Sequence, residues 1–82
     1  MKKVELFYSP VCPYCPLARE LLKQYKSEHE GFDYTEVNTF TEEGIERGMS
    51  LQVMAVPCLV VDDEIKYAGW PFTADDISKA LQ

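Results

Sequence analysis

Positive charge is scarce in this sequence. Eight Lys and Arg stand against fourteen Asp and Glu in 82 residues, a net charge of −6. Duplex nucleic acid and anionic membranes both recruit proteins through cationic clusters, so neither is expected as a partner. Long apolar runs are missing as well: none approaches the roughly 18–20 residues of a membrane span. The start, Met1-Lys2-Lys3-Val4-Glu5, has a positive tip, but Glu5 interrupts it before any apolar stretch forms. A secretory leader is therefore not expected, and the cytoplasm is the expected compartment. Internal repeats, low-complexity tracts and linkers are absent, and the length suits a single domain over residues 1–82. Cysteine is limited to three residues, an odd count that argues against a small disulfide-stapled framework.

What is present is ordinary globular material, 46% hydrophobic and 27% charged, with clear periodicities. Residues 3–8 alternate Val4, Leu6 and Tyr8 against Lys3 and Glu5, a strand pattern to which Phe7 adds apolar surface on the second face. From about Pro13 to His29, Leu17, Ala18, Leu21, Leu22 and Tyr25 recur at helical spacing with Arg19, Glu20, Lys23, Gln24 and Lys26 opposite. Residues 32–37 alternate again as a second strand. Thr39 or Thr41 is placed to cap a weaker helix carrying Ile45, Met49 and Leu51, with Gly44 and Gly48 as its weak points. Pro57-Cys58-Leu59-Val60-Val61 reads as a doubly buried strand, turned by Asp62-Asp63-Glu64 into a strand over 65–68. Thr73 opens a last helix with Ile77, Ala80 and Leu81 inward. The order β-α-β-α-β-β-α gives an α/β fold: a mixed four-stranded sheet flanked by helices, with the first two strands parallel through a right-handed crossover.

Chemistry concentrates at Cys12-Pro13-Tyr14-Cys15, on the junction between the first strand and the first helix. A bridge there closes only a four-residue loop, worth about 2 kcal/mol by chain entropy. It is a poor staple and a sensible reversible redox couple. Unpaired N–H groups and the dipole at a helix N-terminus stabilise a thiolate, the nucleophilic form. Cys12, just before the helix, is the expected nucleophile, and Cys15, facing inward, the thiol that resolves a mixed disulfide. Pro13 suits a first helical position, Tyr14 offers a ring over the sulfurs, and Pro16 is expected to lock the first turn.

Cys12-Pro13-Tyr14-Cys15 is similar to the active-site tetrapeptide of glutaredoxins, and the element order resembles the thioredoxin fold over essentially the whole chain. The resemblance implies a thiol–disulfide oxidoreductase that reduces protein disulfides and needs no cofactor or metal beyond its own cysteine pair. It makes Val56-Pro57 the family's cis-proline, which offers backbone groups to an incoming substrate, and Gly69 the glycine ending the last strand. The segment Tyr8-Ser9-Pro10-Val11 lacks the lysine that glutathione-binding members carry. Ala55-Val56-Pro57 replaces their Thr-Val-Pro, and Gly69-Trp70-Pro71-Phe72 replaces their Gly-Gly-x-Asp-Asp. The remaining pattern resembles glutaredoxin-shaped proteins of archaea and anaerobes that work as thioredoxins. A glutathione-dependent glutaredoxin is the alternative. Trp70-Pro71-Phe72 is an apolar lip for a protein partner or, for Phe72 in particular, core.

Cys58 follows Pro57 and has three readings: a small core residue, a third redox thiol, or a ligand with Cys12 and Cys15 in a metal or iron–sulfur module. Glu5, Asp33 and Glu36 are strand carboxylates, any of which could accept a proton if it lay beneath the dithiol. His29 belongs to the far end of the first helix, while Met49 and Met54 are expected in the core. The expected partners of this monomer are protein disulfides downstream and a disulfide reductase or low-molecular-weight thiol upstream.

Overall fold

A computed structural model describes residues 2–82. Its elements follow the expected order: β1 Lys2–Tyr8, α1 Cys15–Glu28, β2 Phe32–Asn38, α2 Glu42–Leu51, β3 Cys58–Val61, β4 Glu64–Ala68 and α3 Ala74–Ala80. The strands form one sheet in the order β2-β1-β3-β4, with β1 and β2 parallel and the other two pairings antiparallel. β1 is thus central, and Val4, Glu5, Leu6 and Phe7 are buried on its two faces in turn.

Register sorts the core. Leu6 lies opposite Leu59 and Val4 opposite Val61, and these four pack with Ala18, Leu22 and Tyr25 of α1 and Ile77 and Ala80 of α3. Phe7 lies opposite Cys58 and Glu5 opposite Val60 on the other face, where Phe7, Cys58 and Val60 meet Val37 of β2, Leu51 of α2, Val53 and Val56. Phe72 is buried in the first cluster.

Several side chains depart from their expected places. Leu17 is 53% exposed, because the buried stripe of α1 runs through Cys15, Ala18, Leu22 and Tyr25. On α2 the buried positions are Gly44 and Gly48, so Ile45 and Met49 turn outward. A Cβ on Gly44 would stand 1.7 Å from the Asn38 carbonyl oxygen, so this glycine lets the helix backbone lie against the end of β2, while Gly48 faces Val53 and Phe7 at ordinary contact distance. Met54 is 92% exposed, so neither Met49 nor Met54 is in the core. Thr41, not Thr39, caps α2 through Gly44 N–H, while the Thr39 hydroxyl donates to Tyr8 O at 2.9 Å. α3 opens with the reciprocal Thr73–Asp76 capping box.

The buried Glu5 carboxylate is held by Arg47 of α2, Nη2 to Oε1 at 2.7 Å and Nε to Oε2 at 3.0 Å. The same guanidinium bonds Asp63 in the β3–β4 turn, where Asp62 and Asp63 both have positive φ as a tight hairpin turn requires. Asp33 is exposed.

Candidate active site

The two ends of the sheet differ in charge. The loops where β1, β2 and β4 end and β3 begins are residues 9–14, 39–41, 52–57 and 69–73, and they contain no Lys, Arg or His. Both cysteines of the pair belong to this end.

Ser9, buried, turns the chain out of β1. Its hydroxyl accepts from Val11 N–H at 3.3 Å and its carbonyl from Cys12 N–H at 3.2 Å. α1 then begins at Cys15, two residues later than the sequence pattern suggests. Pro13 therefore precedes the helix and Pro16 stands in its first turn. Tyr14 occupies the N-cap position without a side-chain cap, and the first turn carries no acidic residue. The free backbone N–H groups there are left for sulfur.

Cys12 is half-buried and Cys15 only 1% exposed. Burial pushes the Cys12 thiol upward, but the Cys15 thiol and the N–H groups of Tyr14 and Cys15 outweigh it and hold Cys12 below its ordinary value. Burial, then the hydrogen bond with Cys12, pushes Cys15 up to about 11, against a smaller opposing pull from the Ser9 N–H. One thiol is readied to ionise and the other held protonated behind it. Cys12 Sγ also points at the Val56 carbonyl, 3.8 Å away.

Val56 and Pro57 are joined by a cis peptide, as the resemblance implies; Trp70–Pro71 is cis as well, which nothing in the sequence singles out. Gly69, at φ +107°, donates its N–H to the Pro57 carbonyl at 2.8 Å, tying the end of β4 to the proline loop. Its open left-handed backbone suits glycine best. Trp70 is half-buried, edge-on to Phe72 at 5.2 Å, so the expected lip consists of Trp70 resting on a core phenylalanine. Tyr14 is 55% exposed beside the pair in sequence.

Cys58 lies on the α2 face of the sheet, whereas α1, which carries Cys15, packs on the opposite face. Burial alone pushes its thiol up to about 11. Among the described residues no three His, Cys, Asp or Glu side chains converge as metal ligands. Glu36 is occupied by Arg19, at 3.0 Å, and by the Tyr34 hydroxyl, at 2.8 Å, with Arg19 lying over the Tyr8 ring. Glu5 and Glu36 are thus bound by arginines rather than turned to the sulfurs. Sequence spacing put Arg19 on the polar face of α1; its partner Glu36 on the next strand, 17 residues away, was not legible there. His29 ends α1, stacked on Tyr25 far from the cysteines.

A family model described as a thioredoxin domain matches residues 2–82. The chain belongs to the thioredoxin family. A thioredoxin of Methanocaldococcus jannaschii is 31% identical over 81 residues, covering 98% of this chain and 92% of that one. A probable thioredoxin of Archaeoglobus fulgidus is 34% identical over 71 residues, covering 87% and 77%. Among solved structures, oxidised thioredoxin O2 of Arabidopsis thaliana superposes with a TM-score of 0.77 at 16% identity, covering 99% of this chain and 72% of that one. This thioredoxin-family protein is a thiol–disulfide oxidoreductase acting on protein disulfides. Among the described residues, no helix is long and apolar enough to cross a membrane.

Proposed function

We propose that the working couple of this oxidoreductase is Cys12–Cys15, with Cys12 the nucleophile and Cys15 the resolving thiol. The observation that carries this is the asymmetry at the start of α1: Cys12 is accessible and held below its ordinary pKa, and Cys15 is 1% exposed and pushed up. Cys12 thiolate attacks one sulfur of a target disulfide, forming a mixed disulfide and releasing the first target thiolate. Cys15 then gives up its proton and attacks Cys12 Sγ, closing the Cys12–Cys15 bridge and releasing the second target thiol. Two electrons pass to the target, and the sulfurs themselves are the redox group. Val56, Pro57, Gly69 and Trp70, with Pro13 and Tyr14, frame the approach.

The donor that restores the dithiol is a disulfide reductase rather than glutathione. The four loops around the pair hold no cation for an anionic tripeptide, and Arg19 is already paired with Glu36. Cys58 has a packing role.

Alkylation and equilibration against graded thiol–disulfide buffers test the couple. Cys12 is expected to react with iodoacetamide at a lower pH than the other two thiols, whereas Cys15 and Cys58 stay protected until the pH approaches about 11. Cys12→Ser abolishes disulfide reduction, and Cys15→Ser accumulates the mixed disulfide. A potential near about −270 mV fits a protein-disulfide reductant, and one near about −200 to −230 mV fits exchange with a small thiol. If Cys12 and Cys15 do not titrate together as a two-electron pair, the assignment fails.

A further inference from the structure

We propose that Arg19 is a positioning residue for the second half of the reaction: its guanidinium, held one helical turn behind Cys15, is the positive charge against which the resolving thiol ionises. The inference rests on the Cys12–Cys15 reading and deepens it by naming what assists the resolving step.

Cys15 has to lose its proton before it attacks Cys12 Sγ. Burial, and then the hydrogen bond with Cys12, work against that loss and push the thiol up to about 11. Neither Glu5 nor Glu36 is free to take the proton. Glu5 lies on the α2 face of the sheet, gripped by Arg47. Glu36 pairs with Leu6 across β1 and β2, so it lies on the α1 face with Cys15. There burial works to raise its carboxyl, but Arg19 and then Tyr34 outweigh burial and hold it below the ordinary value. A carboxylate held by two donors is a weak base for a thiol.

What lies behind Cys15 is a cation. Arg19 follows Cys15 by four residues on α1, so the two side chains leave neighbouring points on one side of the helix. Its head is fixed on the sheet. Nη2 and Nε donate to Glu36 Oε1 at 3.0 and 3.2 Å, and the Tyr34 hydroxyl donates to Glu36 Oε2 at 2.8 Å. The guanidinium carbon stands 4.5 Å from the centre of the Tyr8 ring. Tyr8 is the last residue of β1, and Ser9 after it turns its N–H to the Cys15 sulfur. Burial and Cys12 oppose the Cys15 thiolate, while the Ser9 N–H and Arg19 favour it. The Cys12 thiol is held down, against burial, by Cys15 and the N–H groups of Tyr14 and Cys15. Arg19 thus bears on the second step rather than the first.

The surroundings leave Arg19 that role. Lys23 and Lys26 follow about two and three helical turns beyond Cys15. Among the described residues, Tyr8, Tyr34 and Glu36 on this face are engaged with Arg19, and Tyr25 and Tyr67 are bonded to Ser78 and the Asp76 carbonyl. β3 and α3 present Leu59 and Ile77. The step balances without a further reagent. The Cys15 proton leaves to solvent, the Cys15–Cys12 S–S bond forms and the Cys12–target S–S bond breaks. The target sulfur departs with the electron pair and takes a proton from solvent. Arg19 forms none of these bonds; it lowers the cost of the thiolate that starts them.

A partly exposed cation beside a thiolate changes its population by about tenfold, of which about threefold returns because a more basic thiolate is a better nucleophile. Rapid-quench single turnovers on neutral hydroxyethyl disulfide, with the Cys12 mixed disulfide counted by mass, read the net effect. Arg19→Gln is expected to slow closure of the Cys12–Cys15 bridge about threefold and to leave Cys12 alkylation by iodoacetamide unchanged. The Arg19 side chain is 36% exposed, so the replacement does not open the core. In a Cys12→Ser background, the NMR shift of Cys15 Cβ should titrate at a higher pH with Arg19→Gln than without it. Arg19→Lys keeps the charge and loses the forked contact, so closure should stay within about twofold of wild type. A loss at Arg19→Lys equal to that at Arg19→Gln assigns the effect to packing and overturns the proposal, as does an unchanged Cys15 titration. Glu36→Gln should not slow closure; slowing beyond about twofold there makes Glu36 the proton acceptor and also overturns it. Failure of Cys15→Ser to hold a mixed disulfide on Cys12 is a different result, because it removes the Cys12–Cys15 reading itself.

Discussion

The two faces of the sheet are covered by different means. On one, α1 and α3 lay large side chains against Val4, Leu6, Leu59 and Val61, and the core is built of interdigitated aliphatic and aromatic groups. On the other, α2 presents Gly44 and Gly48 to the sheet, Arg47 reaches in to Glu5, and among the described residues only Phe7, Cys58 and Val60 form a buried apolar cluster. The first face is thick and side-chain-driven. The second relies on close backbone approach at Gly44 and an ion pair, and this leaves Ile45 and Met49 of α2 exposed while Leu51 packs inward. Cys15 is carried by the helix of the thick face and Cys12 by the loop just before it, where the buried Ala18 and Leu22 anchor the first two turns of α1.

The comparison is sharpest under truncation. Leu22→Ala removes a fully buried side chain from the thick face and is expected to cost about 2–5 kcal/mol, read as the shift of a urea unfolding midpoint. A loss below about 1 kcal/mol would mean that this face is not the main core. Arg47→Ala on the thin face leaves the Glu5 carboxylate, with 5% of its side chain exposed, without its partner. The expected cost is about 3 kcal/mol, and replacing both by apolar residues, Glu5→Leu with Arg47→Met, should recover most of it. Failure of the double variant to recover would assign the ion pair a role that burial energetics do not supply.

The same contrast explains what could be read from the sequence. Periodicity reports where large apolar side chains recur, so β1, α1, the β3–β4 hairpin and the inward Ile77 and Ala80 of α3 were legible, and with them the fold. The Cys12–Cys15 spacing at a strand–helix junction was legible for the same reason, since its chemistry is local. On α2 the rule misled: Ile45, Met49 and Leu51 looked like a buried stripe, and Gly44 and Gly48 like defects. Leu51 does pack inward, but the glycines are the contact and the other two side chains are displaced by it. Glu5 was read as the polar side of a strand because its partner, Arg47, lies 42 residues away. Pairings at that separation leave no local signature.

Gly44→Ala probes the backbone approach directly. A Cβ 1.7 Å from the Asn38 carbonyl oxygen cannot be accommodated unless α2 shifts away from the end of β2. Helix propensity alone would make alanine more stable by up to about 1 kcal/mol, whereas overpacking against backbone costs about 1–3 kcal/mol. A net loss of about 1–2 kcal/mol is expected. Gly48→Ala, whose Cβ would meet Val53 and Phe7 at ordinary contact distances of 3.8 and 3.9 Å, should be neutral or stabilising. If both behave alike, α2 does not rest on Gly44.

The smallest expected effect separates folding from recognition. Met49→Ala and Met54→Ala remove large apolar side chains that are 73% and 92% exposed, so each should change stability by less than about 0.5 kcal/mol. A buried methionine truncated in the same way would cost about 2–5 kcal/mol. Thermal or urea unfolding of the two variants therefore reports which face of α2 the fold uses. A loss above about 1.5 kcal/mol at Met49 would place that side chain in the core. A null effect leaves an apolar surface beside Val56 that stability does not require, and its retention then has to be explained by what it contacts outside the chain.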